Sequence, residues 1–186
     1  MTAARGGSGP SDDDVRERIA RALRVVPDFP SPGILFQDIT PVLADASLLA
    51  AVVAALAEPW RDARITHVAG VESRGFILAA PVAVALGVGF IPVRKPGKLP
   101  SRSVGRDYAL EYGTGRLEMH EDACTSGSRV LLVDDVLATG GTARAACELV
   151  ESVGASVVAC SFMVAIASLH GERMLRNHEI AVLVHR

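Results

Sequence analysis

The 186 residues fit one domain with room for a substantial core, and 49% hydrophobic with 22% charged residues describes a soluble α/β protein. A formal charge of −2 leaves no electrostatic footprint for nucleic acid or an anionic membrane surface. Cys124, Cys147 and Cys160 form no Cys-x-x-Cys pair and are expected to be reduced and structural, as in a cytoplasmic protein. The five histidines lack zinc-ligand spacing.

In chain order, residues 1–10 are rich in Gly and Ser and are expected to be disordered, with no apolar leader segment. Ser11 and three aspartates open a helix with Val15, Ile19, Leu23 and Val26 on one face, ending before Pro27. Asp28–Pro41 is extended and turning, with three prolines around apolar Ile34, Leu35 and Phe36. A helix of Ala, Leu and Val is predicted over Ala46–Ala57. Ile65–Val71 reads as the first sheet strand, and Glu72-Ser73-Arg74-Gly75-Phe76 as the turn into the next helix. Phe76–Val93 carries no charge, yet Pro81, Gly87, Gly89 and Pro92 divide it into a helix and a short strand rather than a membrane span. A basic stretch follows, with Arg94, Lys95, Lys98, Arg102 and Arg106. Tyr108–Gly113 and Leu117–His120, on either side of Gly113-Thr114-Gly115, have hairpin spacing, with Glu118 and His120 on an exposed face.

Arg129–Arg144 is the stretch around which the rest is organised. Val130–Val133 has the uninterrupted β-branched and aliphatic character of a strand buried on both faces. It runs into Asp134 and Asp135, then Ala138-Thr139-Gly140-Gly141-Thr142, and then a helix with Ala143, Ala145, Ala146, Leu149, Val150 and Val153 at helical spacing, stopped by Gly154. Glycines let backbone amides approach an anion, and a helix N-terminus favours negative charge. Thr139 and Thr142 add hydroxyl donors, unless one of them caps the helix. The two carboxylates suit a sugar's vicinal hydroxyls or the water shell of Mg²⁺. The combination fits a ribose 5-phosphate bearing a further charged group. The plainer alternative is a βα turn with solvated acids. Ser156–Ala167 and Ile180–Val184 complete the predicted strands, with a short helix near Leu169–Leu175 between them.

Val-Leu-Leu-Val-Asp-Asp-Val-Leu-Ala-Thr-Gly-Gly-Thr closely resembles the phosphoribosyl pyrophosphate (PRPP) signature of type I phosphoribosyltransferases. Phe-Pro-x-Pro-Gly-Ile-x-Phe-x-Asp-Ile-Thr-Pro, from Phe29 to Pro41, resembles the N-terminal segment of the adenine phosphoribosyltransferases within that family, and so do Arg-Lys-x-Gly-Lys-Leu-Pro from Arg94 and Leu-Glu-Tyr-Gly from Leu110. The resemblance spans about residues 15–170. It implies a single domain over 1–186 with a mostly parallel central sheet flanked by helices, in which about 11–45 form an N-terminal helix and hood and about 94–107 a mobile basic loop. It further implies a homodimer, and conversion of adenine and PRPP to AMP and pyrophosphate with Mg²⁺.

The same resemblance assigns residues. Ala138, Thr139, Gly140, Gly141 and Thr142 would hold the 5-phosphate, and Asp134 and Asp135 the ribose, with Mg²⁺ bound mainly through PRPP oxygens and water nearby. Ser73, Arg74, Lys95 and Lys98 would meet pyrophosphate. Leu35, Phe36, Val136 and Tyr112 would line the adenine site, and Glu111 would act as acid or hydrogen-bond partner near N7; Arg74 and Lys95 join it as catalytic groups. Gln37 departs from the arginine common in relatives. Read without the family, Glu72 and Arg74 could be a surface ion pair, the basic stretch a solvated loop and Glu111 a solvent-facing hairpin residue. Two other functions compete: the same transfer to hypoxanthine or xanthine, and a PRPP-sensing regulator without catalysis. The single helix before Phe29 is too little for a helix-turn-helix, and the negative charge disfavours nucleic acid.

Overall fold

A computed structural model of the chain describes residues 12–109 and 114–186. They fall into two compact units, one reaching to Ala55 and the other Leu56–Arg186. In the first, helix α1 (Asp12–Ala22) leads to strand β1 (Arg24–Pro27), which pairs antiparallel with β2 (Leu35–Asp38). The apolar pattern had carried the helix to Val26; it ends at Ala22 instead. Val25 and Val26 lie opposite Gln37 and Phe36, so two β-branched residues gain a partner strand where one more helical turn would have restricted their rotamers. Phe29 packs edge-on against Phe36 at 5.0 Å between ring centroids. A short helix α2 (Thr40–Ala44), not anticipated, precedes α3 (Ala46–Ala57), which has the predicted span. The Asp45 carboxylate accepts from the Ser47 and Leu48 amides and caps α3.

The second unit contains β3 (His67–Val71), α4 (Arg74–Leu86), β4 (Gly89–Val93), β5 (Ser103–Ala109), β6 (Thr114–His120), β7 (Arg129–Leu137), α5 (Gly141–Ser152), β8 (Ser156–Ala165) and β9 (Glu179–His185). Five strands form a parallel sheet in the order β4-β3-β7-β8-β9. Helix α4 packs against β3 and β7, and α5 against β7, β8 and the separate β5–β6 ribbon. Strand β7 is central and Val130–Val133 are at most 1% exposed, which is why this run carries no polar residue. Val130 and Leu132 join a core that includes Phe162 and Leu149, leaving Leu131 and Val133 for the opposite face. Cys147 and Cys160 belong to the same core, their sulfurs 3.6 Å apart as free thiols. The Phe76–Val93 stretch resolves as expected, with Gly87 in a left-handed conformation closing α4 before β4.

Four expectations change. Strand β7 does not stop at the acidic pair but runs through it to Leu137, because Asp134 and Val136 still pair with Phe162 and Val164 of β8. The basic stretch 94–107 is divided: Ser103–Asp107 belong to β5, paired with Arg116–His120. Glu118 is tucked in, its side chain 16% exposed and accepting from the Gly97 amide at 3.0 Å. The segment near Leu169–Leu175 forms two 3₁₀ turns, Ala167–Leu169 and Gly171–Leu175. Among the described residues no helix is long and apolar enough to cross a membrane.

Candidate active site

The chain leaves β3 towards β4 on one side and β7 towards β8 on the other. Crossovers that diverge between neighbouring strands open a crevice beyond their carboxyl ends, and ligands of open α/β sheets bind there. A cavity of about 350 Å³ occupies that position. One wall is the β3–α4 turn, with Glu72, Ser73, Arg74 and Gly75; the other is the end of β7 and the loop into α5, with Asp134 to Gly140 and Thr142; Lys95 also lines it. Two segments more than fifty residues apart in sequence thus face one space.

Each wall follows from local structure. Ser73 is the N-cap of α4 without a capping side-chain bond, so its hydroxyl is not spent on the helix. Gly75 allows the helix start to approach β7: a Cβ there would lie 2.5 Å from Asp134 Oδ1. On the other wall the N-cap of α5 is Gly140, at φ 82°, and no threonine caps the helix. The first amides of α5 and the Thr139 and Thr142 hydroxyls are therefore available to an anion. Gly140 also meets the turn at Gly171 backbone to backbone; a Cβ on Gly140 would fall 2.3 Å from the Gly171 carbonyl oxygen, and one on Gly171 2.2 Å from that of Ala138. Gly171 holds the loop from behind, and no motif signals it, because the contact is made by its missing side chain.

The acidic pair is not symmetrical. Asp135 is almost fully buried, with Oδ2 2.8 Å from Arg74 Nε. Asp134 Oδ1 accepts from the Asp135 amide at 2.9 Å. Burial, then the negative charge of Asp135, raises the Asp134 carboxyl well above its ordinary range. Burial also raises Asp135, with Arg74 pulling the other way. Glu72 and Arg74 are not a surface pair: Arg74 binds Asp135, and Glu72 Oε2 lies 2.7 Å from Arg94 Nε.

The cavity brings together Ser73, Arg74, Lys95, Asp134, Asp135, Val136, Ala138, Thr139, Gly140 and Thr142. Gly141 opens α5 beside it. Lys98 is exposed and not part of the lining. Leu35 (65% exposed) and Phe36 belong to the first unit and do not line it. Glu111 and Tyr112 lie outside the described residues. Gln37 Oε1 is buried without a hydrogen-bond partner.

The family whose description is phosphoribosyl transferase domain matches residues 42–184, and the chain belongs to it. An adenine phosphoribosyltransferase of Nocardioides sp. (strain ATCC BAA-499 / JS614) is 55% identical over 180 residues, covering 95% of this chain and 97% of that protein. The crystal structure of adenine phosphoribosyltransferase from Thermoanaerobacter pseudethanolicus superposes with a TM-score of 0.90 at 46% identity, covering 92% of this chain and 99% of that one. That of the Saccharomyces cerevisiae enzyme, complexed with adenine and an imino-altritol bisphosphate, gives 0.87 at 38% identity over 92% and 99%. The fold is that of type I phosphoribosyltransferases, and the chain is an enzyme of that class.

Proposed function

We propose that the chain transfers the 5-phosphoribosyl group of PRPP to adenine, forming AMP and releasing pyrophosphate. The observation that carries this reading is the crevice at the β3/β7 ends, with Ser73 and Arg74 on one wall and, on the other, a carboxylate pair leading into a glycine loop and a helix N-terminus. PRPP has the matching chemistry, a phosphate at one end, a pyrophosphate at the other and a diol in the middle. Relatives named for the adenine reaction at about half identity over nearly the full chain support the choice of base.

In this reading Ala138 to Thr142 anchor the 5-phosphate, so binding energy far from C1 orients the ribose. Asp134 and Asp135 face the diol and set negative charge beside a sugar that becomes oxocarbenium-like. Ser73, Arg74 and Lys95 receive the pyrophosphate as its charge develops, with Lys98 as a further contact from the basic segment. Val136 at the cavity and Tyr112 receive the adenine ring, and Glu111 hydrogen-bonds the base so that N9 is the nucleophile; Leu35 and Phe36, in the first unit, are proposed as adenine contacts from the family resemblance alone. The donor set also fits Mg²⁺ held mainly through PRPP oxygens and water, with the hard carboxylate oxygens of Asp134 and Asp135 nearby. When bound, Mg²⁺ supplies charge neutralisation of the leaving pyrophosphate.

The test is AMP formation from adenine and PRPP, with and without Mg²⁺, with hypoxanthine, xanthine and guanine in parallel. Turnover confined to adenine is expected; turnover of another base discards the adenine assignment, and PRPP binding without any turnover favours a PRPP-sensing protein. Glu111→Ala is expected to lower kcat about 10²-fold, and an unchanged kcat would remove Glu111 from the mechanism.

The active form in this proposal is a cytoplasmic homodimer that binds neither nucleic acid nor membrane. Helix α4 bears no charge after Arg74 and exposes Ile77 at 43% and Val84 at 81%, an apolar face that a second copy would cover. Val84→Asp is then expected to shift the light-scattering mass from two chains to one, and an unchanged mass would exclude this face. The free, buried cysteines fit a reducing compartment, which cell fractionation checks.

A further inference from the structure

Glu72 is a carboxylate in the wall of a cavity suited to polyanions, and the mechanism above gives it no part. Its side chain is only 12% exposed, and it pairs with Arg94, Nε to Oε2 at 2.7 Å. Arg94 is itself tied to several segments. Its Nη1 donates to the Lys98 carbonyl at 3.0 Å, and its guanidinium carbon lies 6.0 Å from the centre of the Phe76 ring in the first turns of α4. Its backbone exchanges two hydrogen bonds with Glu118 of β6, at 2.8 and 2.7 Å. The Glu118 carboxylate in turn holds the Gly97 amide. The next residue after Arg94 is Lys95, which lines the cavity.

We propose that Arg94 is a positioning residue that acts through Glu72: it cancels the carboxylate charge within the pyrophosphate-side turn and fixes that turn relative to Lys95. The inference rests on the transferase reading of the cavity and assigns Arg94 no direct contact with substrate. Without the guanidinium, Glu72 would present an uncompensated negative charge to an incoming pyrophosphate from a site with little water around it. It would also lose the partner that holds its side chain away from the anion. An exposed ion pair would have little effect of this kind; this one joins the wall of the cavity to the segment that carries its lysine.

The test is a double-substitution cycle in the full chain, read as PRPP affinity by calorimetry and as KM and kcat for PRPP. Arg94→Gln is expected to weaken PRPP about tenfold, and adding Glu72→Gln to recover binding to within about threefold of the wild type, because removing the second charge removes the cause. Arg94→Lys, which keeps the charge but not the planar fork, is expected to fall between them. A purely structural role would lower thermal stability and leave the Arg94→Gln defect in place when Glu72 is also changed. Wild-type-like binding in Arg94→Gln, or a defect that persists in the double variant, overturns the proposal; the second result with thermal stability unchanged would mean that Arg94 meets pyrophosphate itself. Wild-type turnover of adenine, measured in the same series, tests the transferase reading separately, since the cycle is decided on PRPP binding alone.

Discussion

Gly140→Ala is expected to lower kcat/KM for PRPP about 10³-fold. Two costs combine. At φ 82° a Cβ adds about 1–2 kcal/mol of left-handed strain, and the same Cβ would stand 2.3 Å from the Gly171 carbonyl oxygen and 2.9 Å from Met174 Cβ. Relief requires the phosphate loop or the Gly171 turn to move, and a displacement of about 1 Å in a positioning element costs about 10²-fold. Gly171→Ala separates the two costs. No left-handed conformation is required there, but its Cβ would meet the Ala138 carbonyl oxygen at 2.2 Å, so it is expected to lose about 10²-fold through displacement alone. Gly127→Ala is the control for strain. Its φ is 88° with nothing within 4 Å, so it is expected to lower melting temperature and leave the KM for PRPP unchanged. Steady-state kinetics against PRPP decide the matter; a Gly171→Ala enzyme with wild-type KM would show that the turn does not hold the loop.

The second large effect is expected at Arg74. Arg74→Ala removes both a proposed pyrophosphate contact and the partner of Asp135, whose side chain is 5% exposed. Losing one member of a fully buried pair costs 3–5 kcal/mol; the Arg74 side chain is 38% exposed, so about 2 kcal/mol of stability is expected here. The loss of transition-state stabilisation adds to this in kcat/KM, about 10³-fold in all. The pH dependence distinguishes the two contributions. Arg74 opposes the upward shift that burial imposes on Asp135, so its removal drives that carboxyl higher still. A raised carboxyl means that the folded protein holds a proton the unfolded chain releases. Stability therefore falls as pH rises from the ordinary value of 3.8 through the folded one, and a higher folded value extends that fall. The stability deficit of Arg74→Ala is expected to be larger at pH 7 than at pH 4, and the acidic limb of its kcat/KM profile to lie at higher pH. Equal deficits at both pH values would mean that Asp135 does not depend on Arg74.

The sequence reading held where one element's own residues decide its structure. The strand–loop–helix from Arg129 to Ser152 and the helix Ala46–Ala57 are of this kind, because apolar period, glycine placement and caps all act locally. It failed where a distant partner decides. Val26 continues the apolar face of α1, and only the pairing of Val25 and Val26 with β2 makes this segment a strand. The acidic pair looks like a strand end until Phe162 and Val164 extend the ladder. The basic stretch looks like one loop until Arg116–His120 pair with its second half. Within the candidate site, the residues with charge or hydroxyl chemistry were legible. Gly75 and Gly171 were not, since what they contribute is room, and room is visible only against a neighbour. Arg94 was counted as one more positive charge; its Glu72 partner could not be read from spacing.

The order of the sheet has a consequence for how the protein assembles. The β3–α4–β4 and β7–α5–β8 segments each close over one short crossover, whereas the joint between them pairs residues as distant in the chain as His67 and Val130. Loop closure makes the local halves the easier ones to form and the joint the slower. Each half carries one wall of the cavity, so neither can bind a two-ended anion by itself. A ligand that spans both walls adds its binding energy to the one seam that local structure does not secure. Substrate then acts as a clasp on the fold, and amide exchange along β3 and β7 is where its presence is felt most strongly.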